Sequence, residues 1–435
     1  METLTSLEVL DRYVVRKRLT TSCSGAGRSG IEELTKLNSL QELEVFDLQF
    51  VRGGIDAERA KLKDKTNLRR LFLVWGSDDH EDEMVLEGLE PNPNLRDFLG
   101  VFSFSGTKLP KWMGSSNFLP NLVEIHLFRC NNCEKIPALG MLPCLKVLYI
   151  SGMKSVKCLG EEFYCQLEEE ERIISNGSGS AANATTVSLF PSLISLTLLS
   201  MENLEEWVAL PAIYNSFPSL EKLYIKECPN LRSTPKSFSF LKELDLFLFD
   251  KGVTSIFTTG GLTSLTTIHI KTYRNLYIPL GILLQNITPN LQILFMWKCY
   301  VFQGFVGDDD LSNYNNKDGD DDEEEAIQSF SCPEINCNSN NTSNSLRTIY
   351  FEKCHVLTLL PDLRSFTSLR ELTILKCSKL KESIPYDLKT LTFLKRLEFD
   401  FIQSEYEHPE YPADDKSFRI KNRWWPASNK NQEGS

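Results

Sequence analysis

The sequence predicts an α/β repeat fold: a curved solenoid with a parallel β-sheet along its concave side and irregular or short-helical segments along the convex side. Three observations carry this prediction. The pattern Leu-x-x-Leu-x-Leu-x-x-Cys, with Ile, Phe or Met as variants, recurs along most of the 435 residues. From Leu40 to Leu394 the first leucines of successive units are spaced evenly, ten of twelve intervals lying between 21 and 28 residues, the period of a leucine-rich repeat. Within each unit the apolar spacing changes from three to two, as a short strand requires and an amphipathic helix does not.

Each unit can be justified in turn. Leu40, Leu43 and Val45 open the series, and Leu68, Leu71 and Leu73 follow. Complete copies with the terminal cysteine end at Cys130, Cys228, Cys299, Cys354 and Cys377. Leu95 and Phe98 fit poorly, because Gly100 stands where an apolar residue is expected. Each x-Leu-x-Leu-x is read as a strand with leucines inward and the x residues outward. One unit cannot bury its apolar face alone, so the units must stack into a shared core. Prolines such as Pro137, Pro143, Pro235, Pro361 and Pro385 close many units, where a residue that cannot donate to a ladder fits a convex-side turn. Residues 1–400 are therefore expected to be one array of about thirteen to fourteen units. Flexible inserts are expected at about 161–189 and 303–344, where the two long intervals of 48 and 55 residues fall, and residues 401–435 are expected to be a non-repeat tail.

The charge follows the inserts. The formal net charge is −12, of which Gly307–Glu325 contributes −9 and Glu161–Arg172 contributes −5. The rest is near neutral, which argues against a nucleic-acid binder, since phosphate recognition relies on clustered Lys and Arg. No apolar run reaches the roughly 18 residues that span a bilayer, and the N-terminus lacks the order of a signal peptide. Twelve cysteines are too sparse for a disulfide scaffold and are read as reduced, pointing to a cytoplasmic or nuclear protein. Five Asn-x-Ser/Thr sequons carry little weight without a signal peptide.

Apparent chemical motifs are read as structural. Gly25, Gly27 and Gly30 spell Gly-x-Gly-x-x-Gly, but the polar stretch before them is no strand for a dinucleotide fold. Cys130 and Cys133 form half of a zinc motif with no second pair at ligand spacing. Five scattered histidines make no catalytic grouping, and the acid run lacks the order of an EF-hand loop. No cofactor, metal or catalytic residue is expected. The outward strand positions instead suggest a partner-binding face: Phe72, His126, Tyr149, Tyr224, His269, Phe295 and Tyr350 at the strand centres, and Trp75, Phe128, Lys222, Lys226, Phe247, Lys271 and Trp297 beside them. Aromatic residues bury much area at little entropic cost and are favoured at interface hot spots.

Several stretches are specific enough to suggest a family. Ile55–Trp75, with Asn67-Leu68-Arg69-Arg70-Leu71, resembles an early repeat of plant coiled-coil-type nucleotide-binding leucine-rich-repeat resistance proteins. So do Gly106–Met113, Cys130–Pro143, Phe190-Pro191-Ser192-Leu193, Phe217-Pro218-Ser219-Leu220, Glu205-Glu206-Trp207 and Cys228-Pro229-Asn230-Leu231. The resemblance implies a recognition region that senses a pathogen effector or guarded host protein and restrains a nucleotide-binding switch domain. It does not bring the switch's ATPase activity, because Gly-x-x-x-x-Gly-Lys-Ser/Thr occurs nowhere in the sequence. Family members place coiled-coil and switch domains before the repeats, whereas here repeats begin at Leu4, Leu7 and Leu10, so missing upstream sequence is expected. The alternative is a stand-alone intracellular adaptor such as a ubiquitin-ligase substrate receptor of the F-box type, for which about 30 residues before Leu34 leave no helical domain. A receptor ectodomain is disfavoured by the missing signal peptide and span.

Overall fold

The computed structural model describes residues 4–16, 30–76, 83–115, 117–165, 187–211, 213–235, 238–248, 256, 262–272, 290–298, 345–355, 357, 366–377, 380 and 391–400. By contacts the chain divides into Met1–Phe401 and Ile402–Ser435, and all the described structure lies in the first. The second, the expected tail, lies outside the described residues, as do 166–186 and 303–344.

The first six strands are β1 (Val9–Val14), β2 (Glu42–Phe46), β3 (Arg70–Val74), β4 (Phe98–Phe102), β5 (Glu124–Phe128) and β6 (Val147–Ser151). Then come β7 (Cys158–Leu159), β8 (Val187–Leu189), β9 (Ser195–Leu199), β10 (Glu206–Trp207), β11 (Tyr214–Ser216), β12 (Lys222–Lys226) and β13 (Glu243–Leu248). The last five are β14 (Thr267–Thr272), β15 (Ile293–Trp297), β16 (Thr348–Glu352), β17 (Glu371–Leu375) and β18 (Arg396–Asp400). Fourteen of them form one parallel sheet in chain order, while β7 pairs with β10 and β8 with β11. The fold is thus a leucine-rich-repeat solenoid. Its short helices, α1 (Gly53–Ala57), α2 (Glu83–Gly88) and α3 (Glu161–Tyr164), lie between sheet strands. No helix among the described residues is long and apolar enough to cross a membrane.

The alternation expected from sequence sets the core. Leu71 and Leu73 of β3, Leu196 and Leu198 of β9, and Leu223 of β12 are 0% exposed. Burying each such side chain stabilises by roughly 1.5–3 kcal/mol. Strand registers are unbroken from β2 to β18, with Leu43 on Leu71, Leu71 on Leu99, and so on to Ile374 on Phe399. β1 joins with an irregularity between Leu10 and Tyr13.

Two expectations need correction. Leu95 is followed by a four-residue step: Leu99 and Val101 are the inward residues, so Gly100 occupies an outward centre and the unit does conform. The first insert is narrower than 161–189, because Glu161–Tyr164 is helical and buries Phe163 and Tyr164, while Val187–Leu189 pairs with β11.

Strands end at a repeated left-handed turn. Arg129, Ser200, Glu227, Lys298, Lys353 and Lys376 have φ between 52° and 56°, each two residues after its strand's second inward side chain. That conformation is unfavourable for residues other than glycine. At Arg129, Ser200, Lys298 and Lys353 it is held in place because the turning residue's N–H donates to the next strand, as Arg129 does to the Ser151 carbonyl at 2.7 Å and Lys353 to that of Leu375 at 2.8 Å. The following residue is thereby turned into the core. At Cys130, Cys228, Cys354 and Cys377 it is a buried thiol, and Cys228 Sγ lies 3.8 Å from the Leu198 carbonyl of the preceding repeat. Cys299 lies outside the described residues.

Polar ladders close the repeats elsewhere. The residue before the first leucine is Ser or Asn in many units, and it donates to the preceding repeat: Ser39 Oγ to Thr5 O at 2.7 Å, Asn67 Nδ2 to Asn38 O at 3.2 Å, Ser219 Oγ to Pro191 O at 2.7 Å and Asn290 Nδ2 to Thr263 O at 2.9 Å. On the far side of the core Phe163, Phe190 and Phe217 stack with ring centroids 4.9 Å apart, and Phe238 continues the row at 5.9 Å.

Lys65 is a buried cation, 0% exposed, whose Nζ donates to Leu34 O at 2.6 Å and Leu37 O at 3.2 Å. It closes carbonyls at the end of the Ile31–Leu34 turn. Burial lowers its pKa from 10.5 to about 8. Between pH 8 and 10.5 the unfolded chain therefore holds a proton on Lys65 that the folded chain has lost, and stability contributed by this group rises with pH. Subtracting the pH–stability profile of Lys65→Met from that of the natural chain, by urea denaturation, should show this rise and be flat below pH 8.

Candidate functional site

The outward residues form three parallel rows whose spacing is set by the strands, about 4.8 Å apart. The central row places Phe72, Gly100, His126, Tyr149, Thr197, Tyr224, Asp245, His269, Phe295 and Tyr350 on successive strands in direct register. Seven of the expected binding residues are thus brought into one line. Phe128, Lys226, Phe247, Lys271 and Trp297 stand in the row toward the strand ends, and Lys222 in the row toward the strand starts.

Trp75 does not belong to this face. It is 4% exposed and packs edge-on against Phe104 at 5.0 Å, because its turn lacks the left-handed residue that the neighbouring repeats have at this position. Phe247 is outward by register yet only 6% exposed, since the Lys271 ammonium lies over its ring at 4.1 Å. It supports the surface from below.

The face has two bands. In the first, Phe72 stacks on Phe98 at 4.4 Å, Phe98 meets His126 edge-on at 4.8 Å, and His126 reaches Tyr149 at 5.0 Å. Arg70 lies over both Phe72 and Phe98, at 5.5 and 5.1 Å. Gly100 makes this possible, because a Cβ there would collide with Phe102 and come within 2.7 Å of the Phe98 ring. Phe98, Phe102 and Arg70 were not anticipated from the sequence; the four-residue step after Leu95 was the signal that would have found the two phenylalanines, and Arg70 is the outward residue directly before Leu71 of β3.

The second band runs from β12 to β16. Lys226 Nζ pairs with Asp245 at 2.8 Å, and His269 Nδ1 lies 3.9 Å from the same carboxylate. His269 meets Phe295 edge-on at 5.5 Å, and Phe295 stacks flat on Tyr350 at 4.4 Å and 9°. Tyr350 Oη donates to Glu352 at 2.7 Å. Both outward histidines hold their protons less tightly than a free imidazole. Burial dominates, and it is opposed by Glu124, 2.7 Å from His126, and by Asp245 beside His269. Burial likewise raises the phenol pKa of Tyr224 and Tyr350, with Glu243 and Glu352 adding to it. Thr197 and Ser195 of β9 separate the bands.

Among the described residues no group of three or more His, Cys, Asp or Glu is placed to hold a metal ion. Cys130 and Cys133 point their sulfurs at the Val101 and Gly106 carbonyls, 3.7 and 3.2 Å away. The Cys133 thiol is pushed strongly upward, first by its hydrogen bond with Cys130 and then by burial. Burial pushes Cys228 up to about 12. What the face offers is a fixed grid of rings, imidazoles and ammonium groups, suited to non-covalent recognition.

This geometry can be set beside known proteins. Residues 31–153 match the family described as R13L1/DRL21 LRRs, and residues 109–247 match that of plant disease resistance protein RPS2-like leucine-rich repeats. The chain's leucine-rich repeats are similar to those of plant disease-resistance proteins. Over 376 residues it is 28% identical to disease resistance RPP13-like protein 1 of Arabidopsis thaliana, a match covering 82% of this chain and 31% of that one. Over 234 residues it is 30% identical to disease resistance protein RGA2 of Solanum bulbocastanum, covering 52% and 22%. The chain thus spans under a third of the length of these relatives.

The Gly100 contacts give a coupled prediction. Gly100→Val should lower stability by about 1–3 kcal/mol through overpacking against Phe98 and Phe102. In a Phe102→Ala background, which removes the nearest ring, the same change should cost much less. Urea midpoints of the four proteins in this cycle measure the coupling, and equal costs in both backgrounds would mean that the rings do not close over Gly100.

Proposed function

We propose that the outward face of the sheet is a protein-recognition surface in plant innate immunity. It would read a pathogen effector or a guarded host protein, and the array would restrain a nucleotide-binding switch domain by binding it. The compartment that goes with this reading is the cytoplasm or nucleus. The observation that carries it is the unbroken central row, in which Phe72, His126, Tyr149, Tyr224, His269, Phe295 and Tyr350 lie on one register line across ten strands from β3 to β16. Rings held at fixed spacing present a large contact area whose ordering cost is already met by folding. The disease-resistance relatives supply the biological setting. The same row argues for a protein partner over a small molecule, since it lies open along the sheet rather than enclosing a cavity.

The test is simultaneous alanine substitution at Tyr224, Phe295 and Tyr350. All three are outward, so the core registers should survive, which circular dichroism and a cooperative melt would verify. Losing several ring anchors should weaken partner association by at least about tenfold. The readout is quantitative co-purification from infected tissue, comparing natural and substituted chains. A folded triple variant that captures the same partners in the same amounts would overturn the reading.

A further inference from the structure

The lysines of the second band gather where the sheet gives way to its turns. Lys271 Nζ lies 4.1 Å from the centroid of Phe247 and 3.9 Å from that of Trp297. Lys298 and Lys353 bring their ammonium groups to the same indole, at 5.0 and 5.6 Å. Three cations from three successive repeats therefore share one ring. Lys298 and Lys353 are held at φ 54° and 56°, in the left-handed turn that fixes where their side chains leave the backbone. All four of these residues outside Phe247 are only partly buried.

Like charges this close on a partly dehydrated surface repel one another. The indole face offsets part of that repulsion. Glu352 offsets another part, lying 3.5 Å from Lys353 Nζ, but it also accepts the Tyr350 hydroxyl. Burial, and next the neighbouring Lys298, make Lys271 release its proton more readily than a free lysine. Strand ends in the first band are different: Phe102, Ser103, Phe128, Arg129, Ser151 and Gly152 bring a single cation. The basic character is local to a few repeats.

The surroundings limit what anion would fit. At the strand starts and centres of the flanking repeats stand Glu243 and Asp245 on one side and Glu371 and Glu398 on the other, while Lys376 adds one more cation to the turn row itself. A long polyanion such as a nucleic acid would run onto these carboxylates. A short segment with two or three carboxylates would stay within the span of three strands, about 10 Å between the outer two.

We propose that Lys271, Lys298 and Lys353, grouped around Trp297, are a docking site for a short acidic segment of a protein partner. The carboxylates settle between the ammonium groups, and Trp297 and Phe247 keep water from the contact. This rests on the reading of the face as a recognition surface and narrows its partner to one chemical class.

The experiment uses the full chain and a fluorescein-labelled decapeptide rich in Asp and Glu, followed by anisotropy. Binding should be saturable and should weaken steeply as salt is raised. Lys298→Glu with Lys353→Glu should reduce affinity at least tenfold and leave the melting temperature within a few degrees. Lys271→Met, which removes charge and keeps the stem, should give an intermediate loss even if the double variant were to misfold. Three outcomes would overturn the proposal. One is peptide binding that the substitutions leave unchanged. A second is equally tight binding of a poly-uridine oligonucleotide, which would make the patch a general polyanion site. A third is peptide binding that appears only after Asp320–Glu325 are changed to Asn and Gln, which would make the chain's own acid run the occupant. If the captured partner is lost from the aromatic triple variant but kept by the double charge reversal, the recognition reading stands and this proposal falls. If both variants keep it, the recognition reading falls as well.

Discussion

A five-residue strand with two inward leucines cannot be stable alone, and every other property of this chain follows from that constraint. The inward side chains reach complete burial only because the repeats above and below supply the remaining walls of their site. Parallel pairing then has to hold its register, since a slip of one residue would send the leucines to the open face. Each repeat must also leave the sheet at the same point. The left-handed residue after the strand does this, and it recurs on residues as unsuited to that conformation as Arg129, Lys298 and Lys353. The strain is tolerated because the turning N–H is committed to the next strand's carbonyl and the residue that follows is committed to the core.

Once the inward positions are fixed, the outward ones are free in chemistry but not in place. Strands about 4.8 Å apart set successive outward side chains at ring-stacking distance without further design. The chain uses this twice, with different results. Where β3 to β6 carry phenylalanine, histidine and tyrosine, the rings lean on one another and one arginine covers two of them. Where β14 to β16 carry lysine beside tryptophan, the rings support cations. A recognition surface of this kind is specified by which residues fill a grid, and the grid itself comes from the leucines.

That division explains what the sequence could and could not convey. The leucine period fixes the inward set, so strand positions and the central outward row were readable residue by residue. Trp75 and Phe247 were not, for separate reasons. Trp75 sits at a strand end whose turn departs from the repeat, and turn conformation is not written in apolar spacing. Phe247 is outward but lies beneath a lysine from the next strand, a cross-strand contact that only the three-dimensional register reveals. Gly100 seemed to break its unit because the count ran from Leu95 with a step of three; the chain takes one more residue there, and the glycine is what lets Phe98 and Phe102 fold inward. The Ser and Asn ladder was visible as a recurring letter before the first leucine, yet its purpose depends on a carbonyl one repeat away. Lys65 gave no signal at all, because burial of a cation is decided by the carbonyls that happen to face it.

The interruptions make the same point from the opposite direction. Between Leu291 and Leu346 the chain travels 55 residues rather than the usual two dozen or so, and between Leu145 and Leu193 it travels 48. Closure entropy rises only slowly with length, by about 0.6 kcal/mol for each doubling, so a long excursion between two strands costs little compared with the burial regained when they pair. β15 and β16 accordingly meet in full register across the longest interval in the chain. The flattest stacked pair of the open face, Phe295 on Tyr350 at 9°, is formed across that interval, as is the contact of Lys353 with Trp297. Residues that are far apart in sequence are therefore fixed neighbours on the surface. The grid that presents the aromatic and basic side chains keeps its spacing across both intervals, because the register is set by the leucines on either side.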